Sequence, residues 1–191
     1  MRLLAIDPGV RLHGWCVLMC YGAPSVVAPT MWMPVACGHD SIDAVAAQCA
    51  AASVVAVETP AGHAYSAARV KGLLEAAGAA GELRGLARAS GARVVSCSAE
   101  TWRAALVGRA QASDEQIAEK LSWEVKRGTL SCLPETRLKS ERPHVLDACG
   151  LALVVATRGV DWVEAREAER RGKTRRQETL PGLGTKRRAK R

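Results

Sequence analysis

The order of apolar and polar positions predicts a chain that opens with a three-stranded antiparallel meander. A first strand is expected at residues 2–6, and it ends at the turn Asp7-Pro8-Gly9. A second strand is expected at about residues 14–20, before a Gly- and Pro-containing turn, and a third near residues 26–35. Because short turns connect them, consecutive strands of this kind pair antiparallel.

Helices and buried strands alternate through the rest of the chain. The continuous apolar run at residues 53–57 is typical of a strand that is buried on both faces. A helix after Ser41, which is a plausible N-cap, precedes this strand. The expected helices cover residues 41–52, 65–90, 98–106, 113–126 and 143–157, and a further strand covers residues 93–97. This alternation after a meander predicts an α/β fold with a sheet of mixed direction, flanked by helices.

The positive charge of the chain is concentrated at its end. Residues 166–191 hold eleven Lys or Arg and three Glu, and so carry the whole net charge of +8. The first 165 residues carry 16 of the 27 basic and 16 of the 19 acidic side chains. We therefore expect a folded domain at residues 1–160 and a basic, disordered tail at residues 161–191. Such a tail suits a nucleic acid, and a merely solubilising end is the alternative.

Cysteine usage and hydropathy indicate a reducing compartment. The seven Cys are odd in number, none has CxxC spacing, and most lie in apolar stretches, which favours reduced structural thiols.

No apolar run approaches the roughly 18 residues that span a membrane. The early charged residue Asp7 argues against a signal peptide. We expect a cytoplasmic protein, associated with the nucleoid or, if phage-encoded, acting in the host cytoplasm.

Three carboxylates and one histidine occupy positions where they could meet. Asp7 ends the first strand, Glu58 ends the central buried strand, and Asp147 lies in the first turns of the last helix. His144 precedes Asp147 by three residues and shares its helix face. Adjacent strands lie about 5 Å apart, so carboxylates at matching strand ends can approach one another. Crowded carboxylates need cations to offset their repulsion, and oxygen ligands select Mg²⁺ or Mn²⁺.

Each of these four residues also has a structural interpretation when taken alone. Asp7 belongs to a common turn, and Glu58 could be a solvated strand end. Asp147 could be a first-turn acid that favours the helix dipole, and His144 could be a cap or a surface residue. Only their order and spacing together favour a metal site, in which two ions could clamp the reacting oxygens of a phosphodiester.

Three motifs carry a resemblance to a known family. Ala-Ile-Asp-Pro-Gly at residues 5–9, Val-Glu-Thr-Pro at 57–60 and the segment from His144 to Leu153 look like the acidic motifs of RuvC-type Holliday-junction resolvases. The resemblance extends over about residues 3–157. It implies an RNase H-like fold, a homodimer, and paired nicking of four-way DNA junctions by hydrolysis with Mg²⁺, for which Mn²⁺ can substitute. By motif, it implies that four residues are catalytic metal ligands: Asp7, Glu58, His144 and Asp147.

The family resemblance and the charge pattern also suggest DNA contacts. The basic residues expected to hold phosphates are Arg69, Lys71, Arg103, Arg109, Lys186, Arg187 and Arg188. A nuclease of other branched DNA or of structured RNA keeps the same fold with a different substrate. A non-catalytic nucleic-acid-binding protein is the alternative from a different functional class, although the complete acidic set argues against it.

Several positions depart from the family pattern or leave a choice open. The family's wedge aromatic after the glutamate is replaced by Ala61, with His63 or Tyr65 as substitutes, and a family lysine is replaced by Asp114. Arg109 could supply that missing charge. The Leu residues of the long helix could pack on a symmetry mate or on the sheet. Three tryptophans at roughly helical positions are expected in the core or an interface: Trp102, Trp123 and Trp162.

Overall fold

A five-stranded sheet lies at the centre of the computed structural model, which describes residues 1–21, 31–60, 67–136 and 138–178. The strands are β1 (Arg2–Asp7), β2 (His13–Tyr21), β3 (Met31–Asp40), β4 (Val54–Thr59) and β5 (Arg93–Ser98). Their order across the sheet is β3-β2-β1-β4-β5. β1 pairs antiparallel with β2 and parallel with β4, and β4 pairs parallel with β5. The predicted mixed sheet, with its meander and parallel strands, is therefore confirmed.

Six helices among the described residues cover the two faces of this sheet. They are α1 (Ile42–Cys49), α2 (Ala67–Ala89), α3 (Ala99–Val107), α4 (Asp114–Lys126), α5 (Arg142–Arg158) and α6 (Val160–Glu178). Leu4 and Ile6 of β1 point into the core beneath α1 and α2, whereas Leu3 and Ala5 point into the larger core beneath α3, α4 and α5. Burial on both faces explains why β1 is a continuous apolar run rather than an alternating one.

Local sequence signals explain where the helices begin and end. The Ser98 hydroxyl accepts the Thr101 backbone N–H at the start of α3, and α3 ends at Gly108, whose φ of 88° favours glycine. Ser113 and Gln116 form the predicted capping box at the start of α4. Ser41 occupies the predicted N-cap position of α1, but its side chain makes no capping hydrogen bond.

Two predictions about elements need correction. β3 continues to Asp40, whereas the predicted strand ended at residue 35. The predicted start near residue 26 falls in residues 22–30, which lie outside the described part of the chain. Residues 160–178 form a helix, where a disordered tail was expected from residue 161. Val163 is buried in the larger core, and Glu167 is buried too. Disorder was inferred from charge, but these two buried residues tie the helix to the domain.

Thiols and tryptophans largely follow the sequence expectations. All seven cysteines lie in the described part of the chain and none forms a disulfide bond, and four of them are buried. Trp102 is fully buried, Trp162 is half-buried, and Trp123 is 45% exposed. Within the described residues, no helix is both long enough and apolar enough to cross a membrane.

Candidate active site

The ends of β1 and β4 bring two of the predicted carboxylates to one edge of the sheet. The two strands are parallel neighbours, with Ile6 opposite Val57, so Asp7 and Glu58 each follow at the same edge. Asp7 is the last residue of β1, and Glu58 is the next-to-last residue of β4. The sequence reasoning from strand ends therefore placed both carboxylates correctly.

The start of α5 adds His144 to this edge, and a glycine makes the approach possible. A Cβ atom on Gly14 would collide with the carbonyl oxygen of His144 and would lie 2.7 Å from its Cβ. Because β2 has no side chain at this position, the first turn of α5 lies directly against it. The Nδ1 atom of His144 is 3.0 Å from Oδ2 of Asp7, and its ring stacks on that of His39 with centroids 4.7 Å apart.

Two adjacent residues of α3 hold the remaining carboxylates. The indole Nε1 of Trp102 donates a hydrogen bond of 2.7 Å to Oε2 of Glu58. Nη2 of Arg103 donates a bond of 2.6 Å to Oδ2 of Asp147, and Nη1 donates to the carbonyl oxygen of Ala112. The four predicted site residues are therefore brought to one region, linked in the pairs Asp7–His144, Glu58–Trp102 and Asp147–Arg103.

Burial and neighbouring negative charge raise the pKa of two of these carboxylates, Glu58 and Asp147. Burial, followed by the nearby charge of Asp7, raises the pKa of Glu58 to about 8, although the Trp102 hydrogen bond opposes this rise. Burial also raises the pKa of Asp147 to about 6, against the lowering effect of Arg103. The hydrogen bond to Asp7 raises the pKa of His144 above its ordinary value. A cation at this edge would favour the ionised carboxylates.

The donor set fits a divalent cation in its chemistry. Carboxylate oxygens with one imidazole suit Mg²⁺ or Mn²⁺. The buried Oδ1 of Asp147 has no hydrogen-bond partner among the described residues, which leaves a lone oxygen for a ligand bond. Within the same residues, however, no three His, Cys, Asp or Glu side chains are already gathered as a metal cluster. Metal binding would therefore require Asp7, Glu58 or Asp147 to exchange present partners.

The predicted DNA contacts are found in several different settings. Arg103 lies inside the site rather than on an open surface, with 22% of its side chain exposed. Lys71 is exposed on α2 and lies 3.8 Å from Glu75, one turn away. Arg109 is exposed just after α3. The side chains of several other residues considered above lie outside the described part of the chain: Ala61, His63, Tyr65, Arg69, Lys186, Arg187 and Arg188.

Sequence reasoning missed three residues at this edge. Trp102 was expected only as a core or interface residue, and its bond to Glu58 carries no local sequence signal. His39 stacks on His144 from β3. His13 is buried at the start of β2, where burial lowers its pKa, and its Nδ1 has no hydrogen-bond partner among the described residues. No local sequence signal indicates that His13 and His39 lie at this edge.

Fold and site together define a class: an RNase H-like α/β domain with an acidic edge. No protein-family model and no curated protein matches the chain. Among solved structures, it is similar to Thermus thermophilus RuvC in complex with a Holliday junction substrate, at 21% identity and a TM-score of 0.55. That likeness covers 88% of this chain and 96% of the other. The chain therefore has the RuvC-type fold.

Two further solved structures are similar to this chain. A second structure of Thermus thermophilus RuvC has a TM-score of 0.49 at 21% identity, and covers 82% of this chain and 93% of its own. The yeast mitochondrial Holliday junction resolvase Ydc2 has a TM-score of 0.48 at 10% identity, with coverage of 80% and 76%.

Proposed function

We propose that this protein is a metal-dependent endonuclease that resolves four-way DNA junctions by paired nicks. The observation that carries the proposal is that Asp7 and Glu58 follow paired positions of two parallel strands, at one edge of a RuvC-type sheet. Asp147 is close enough to raise the pKa of Glu58, and its buried Oδ1 has no hydrogen-bond partner among the described residues. The structural neighbour with the higher TM-score was solved with a Holliday junction substrate, which supports branched DNA as the substrate class.

The side chains at this edge would have different roles in such a reaction. Asp7, Glu58, His144 and Asp147 would hold Mg²⁺ or Mn²⁺, which when bound activates water and stabilises charge on a phosphodiester. Trp102 orients Glu58 through its indole N–H. Arg103, released from Asp147, would neutralise a phosphate oxygen at the same edge.

We further propose a homodimer, because paired symmetric nicks need two active sites related by a two-fold axis. α2 has a surface that no other described residue covers. Leu74 is 68% exposed, and Val70 is exposed beside it. A Cβ atom at Gly78, Gly81 or Gly85 would meet no atom of the described residues within 4 Å, so packing among those residues does not explain these glycines. Small and apolar residues along one helix face suit close packing against a second copy.

Light scattering tests the dimer. We expect a mass near twice 20.3 kDa at micromolar concentration, and a Leu74→Glu variant that shifts toward the monomer. A wild-type species of only 20.3 kDa that still cuts junctions in pairs would contradict the proposal.

Cleavage of end-labelled synthetic junctions, forks and duplexes tests the function. We expect paired nicks in the junction with Mg²⁺ or Mn²⁺, and none with EDTA. Asp7→Asn and Glu58→Gln should abolish nicking while junction affinity, measured by gel shift, is kept. Near-normal nicking by either variant would overturn the site assignment, and preferred cutting of forks would change the substrate.

A non-catalytic DNA-binding role is the second candidate. It is favoured by the pairing of Glu58 with Trp102 and of Asp147 with Arg103, and by the lack of a gathered metal cluster among the described residues. Tight junction binding without nicking in either metal would select this function over the first.

A further inference from the structure

A groove lined by cations lies between α3, α4 and the C-terminal half of α5. Its volume is about 370 Å³, and Lys120, Arg127 and Arg158 line it. Glu124 is an acidic residue of the lining, and its carboxylate is 2.8 Å from the Lys120 ammonium. Arg127 and Arg158 make no ion pair with a carboxylate of the described residues. The groove therefore presents two uncompensated guanidinium groups, although the first 165 residues are neutral overall.

This groove is separate from the acidic edge. Asp147 and Arg158 lie on the same helix, α5, eleven residues apart. At 1.5 Å per residue this spacing places them about 16 Å apart along the helix axis. A ligand in the groove would therefore not contact the carboxylates of the candidate active site.

Indole rings flank the cations of the groove. Trp123 is 45% exposed, which is unusual for so large an apolar surface. The Lys120 ammonium lies 3.7 Å from its ring centroid, and the Arg127 guanidinium carbon 5.1 Å from it. On the other side, Trp162 lies between Arg158 at 5.7 Å and Arg166 at 5.6 Å. Indoles and cations thus alternate across α4, α5 and α6.

A second, smaller observation extends this surface toward α3. Trp123 and Lys120 also line a neighbouring open cavity of about 440 Å³, together with Arg109. Cations therefore occur on both sides of the exposed indole. A ligand that follows the strip would meet positive charge along its length and an aromatic surface in the middle.

We propose that this groove binds an unpaired nucleic-acid strand, with phosphates at Arg127 and Arg158 and a base stacked on Trp123. An unpaired strand offers a phosphate backbone and free base faces together, whereas a duplex hides its base faces. Exposed aromatic rings beside a positive groove are the usual means of binding single strands. The inference rests on the proposed function only in taking nucleic acid as the substrate class.

Fluorescence anisotropy in EDTA tests the proposal with the full-length protein. The probes are labelled oligo(dT) of about 20 nucleotides, which spans the site sizes typical of such grooves, and a duplex of equal length. The test variant is Arg127→Gln/Arg158→Gln. Its matched control is Lys126→Gln/Arg88→Gln, which removes the same charge from exposed residues that do not line the groove.

We expect the test variant to flatten the salt dependence of oligo(dT) binding. Each phosphate contact to a single strand contributes about −0.7 to the slope of log K against log salt, so losing two should change the slope by about 1.4. Trp123→Leu should weaken oligo(dT) binding about tenfold at unchanged slope, because stacking releases no counterions. The control should keep the wild-type slope, and circular dichroism should show that all variants are folded.

If the test variant and the control show the same salt slope for oligo(dT) binding, the proposal that the groove binds a single strand is wrong. A loss confined to the duplex would also contradict the proposal, because it would indicate contacts to paired DNA. Because the assay contains no divalent metal, it is independent of cleavage. A protein that cuts nothing but shows the expected slope change would refute the proposed function and leave the groove in place.

Discussion

At the scale of single residues, Arg103 forms an ion pair with Asp147, whose carboxylate would be needed as a metal ligand. Its guanidinium is 2.6 Å from Oδ2, and both side chains are largely buried. A buried charge without a partner is costly, so Arg103 stabilises the metal-free protein. The same positive charge opposes a divalent cation at this carboxylate. Arg103 is thus the counter-ion of Asp147 in the metal-free protein.

An Arg103→Gln variant should therefore bind Mn²⁺ more tightly and unfold more easily without metal. We expect an affinity gain of roughly tenfold, equal to about 1.4 kcal/mol, in titration calorimetry without DNA. Arg109→Gln is the control, because Arg109 is exposed and has no carboxylate partner among the described residues. Unchanged or weaker Mn²⁺ binding by Arg103→Gln would show that the ion pair does not compete with metal.

His144 should act as a ligand rather than as a helix cap. Its Nδ1 contacts Asp7, and its ring is fixed by stacking on His39. His144→Asp should keep nicking activity, since a carboxylate can fill the same place, whereas His144→Ala should lose most of it. Equal activity of the two variants in a junction-cleavage assay would support the capping interpretation.

Glu58 should make the metal-free protein less stable at high pH. Its pKa rises from 4.5 to about 8 on folding, so the folded state binds the proton more tightly than the unfolded state. The resulting stability is fully present below the unfolded pKa and is lost as pH rises through the folded one. Urea unfolding in EDTA should show a loss on the order of 2 kcal/mol between about pH 5.5 and about pH 8.5.

The Glu58→Gln variant is the control for this pH dependence, because its amide does not ionise. Most of the loss at high pH should vanish in that variant. Saturating Mn²⁺ should also reduce the loss in the wild type, since a bound cation favours the ionised carboxylate. An equal loss in both proteins would assign the effect to other groups.

At the scale of elements, α5 is positioned by two glycine contacts. Gly14 of β2 admits the first turn of α5, which carries His144. Gly150 of α5 admits the ring of Trp102, because a Cβ there would lie 2.9 Å from a ring carbon. The second contact sets the distance between α3 and α5. It therefore also sets how Trp102 and Arg103 reach their carboxylates.

Gly150→Ala should destabilise the protein, although alanine is the better helix former. Overpacking costs about 1–3 kcal/mol, against about 1 kcal/mol gained in helix propensity. Gly172→Ala in α6 is the control, since a Cβ there meets no atom of the described residues within 4 Å and should be neutral or stabilising. Urea midpoints that rise for both variants would show that the contact between α3 and α5 has room for a methyl group.

The sequence predicted the elements better than their mutual contacts. Asp7 and Glu58 could be placed because each follows an apolar run that forms a strand, and parallel neighbours end at one edge. The bonds from Trp102 and Arg103 could not be predicted, because they depend on the rotation of α3 against α5. α6 was missed because its many charged side chains were taken for the start of a disordered tail, although buried residues such as Val163 and Glu167 attach it to the domain.

At the scale of the whole molecule, α6 joins the basic end of the chain to the candidate active site. Oε1 of Glu167 accepts hydrogen bonds of 2.9 Å and 2.7 Å from the backbone N–H and hydroxyl of Ser98. Ser98 is the N-cap of α3, the helix that carries Trp102 and Arg103. A truncation that removes α6 would therefore disturb the site itself. A deletion that tests the basic tail alone has to start after Glu178, where α6 ends.

Deleting residues 179–191 should weaken binding to every DNA shape alike. These residues contain five Lys or Arg and no acidic side chain. Each phosphate neutralised by such a residue contributes about −0.9 to the slope of log K against log salt for duplex DNA. Loss of up to five contacts should flatten that slope, while the preference for a four-way junction over a duplex survives, because the folded domain would recognise shape. Anisotropy titrations at several salt concentrations measure both quantities. A truncated protein that loses its junction preference but keeps its duplex affinity would make the tail a specificity element, contrary to this prediction.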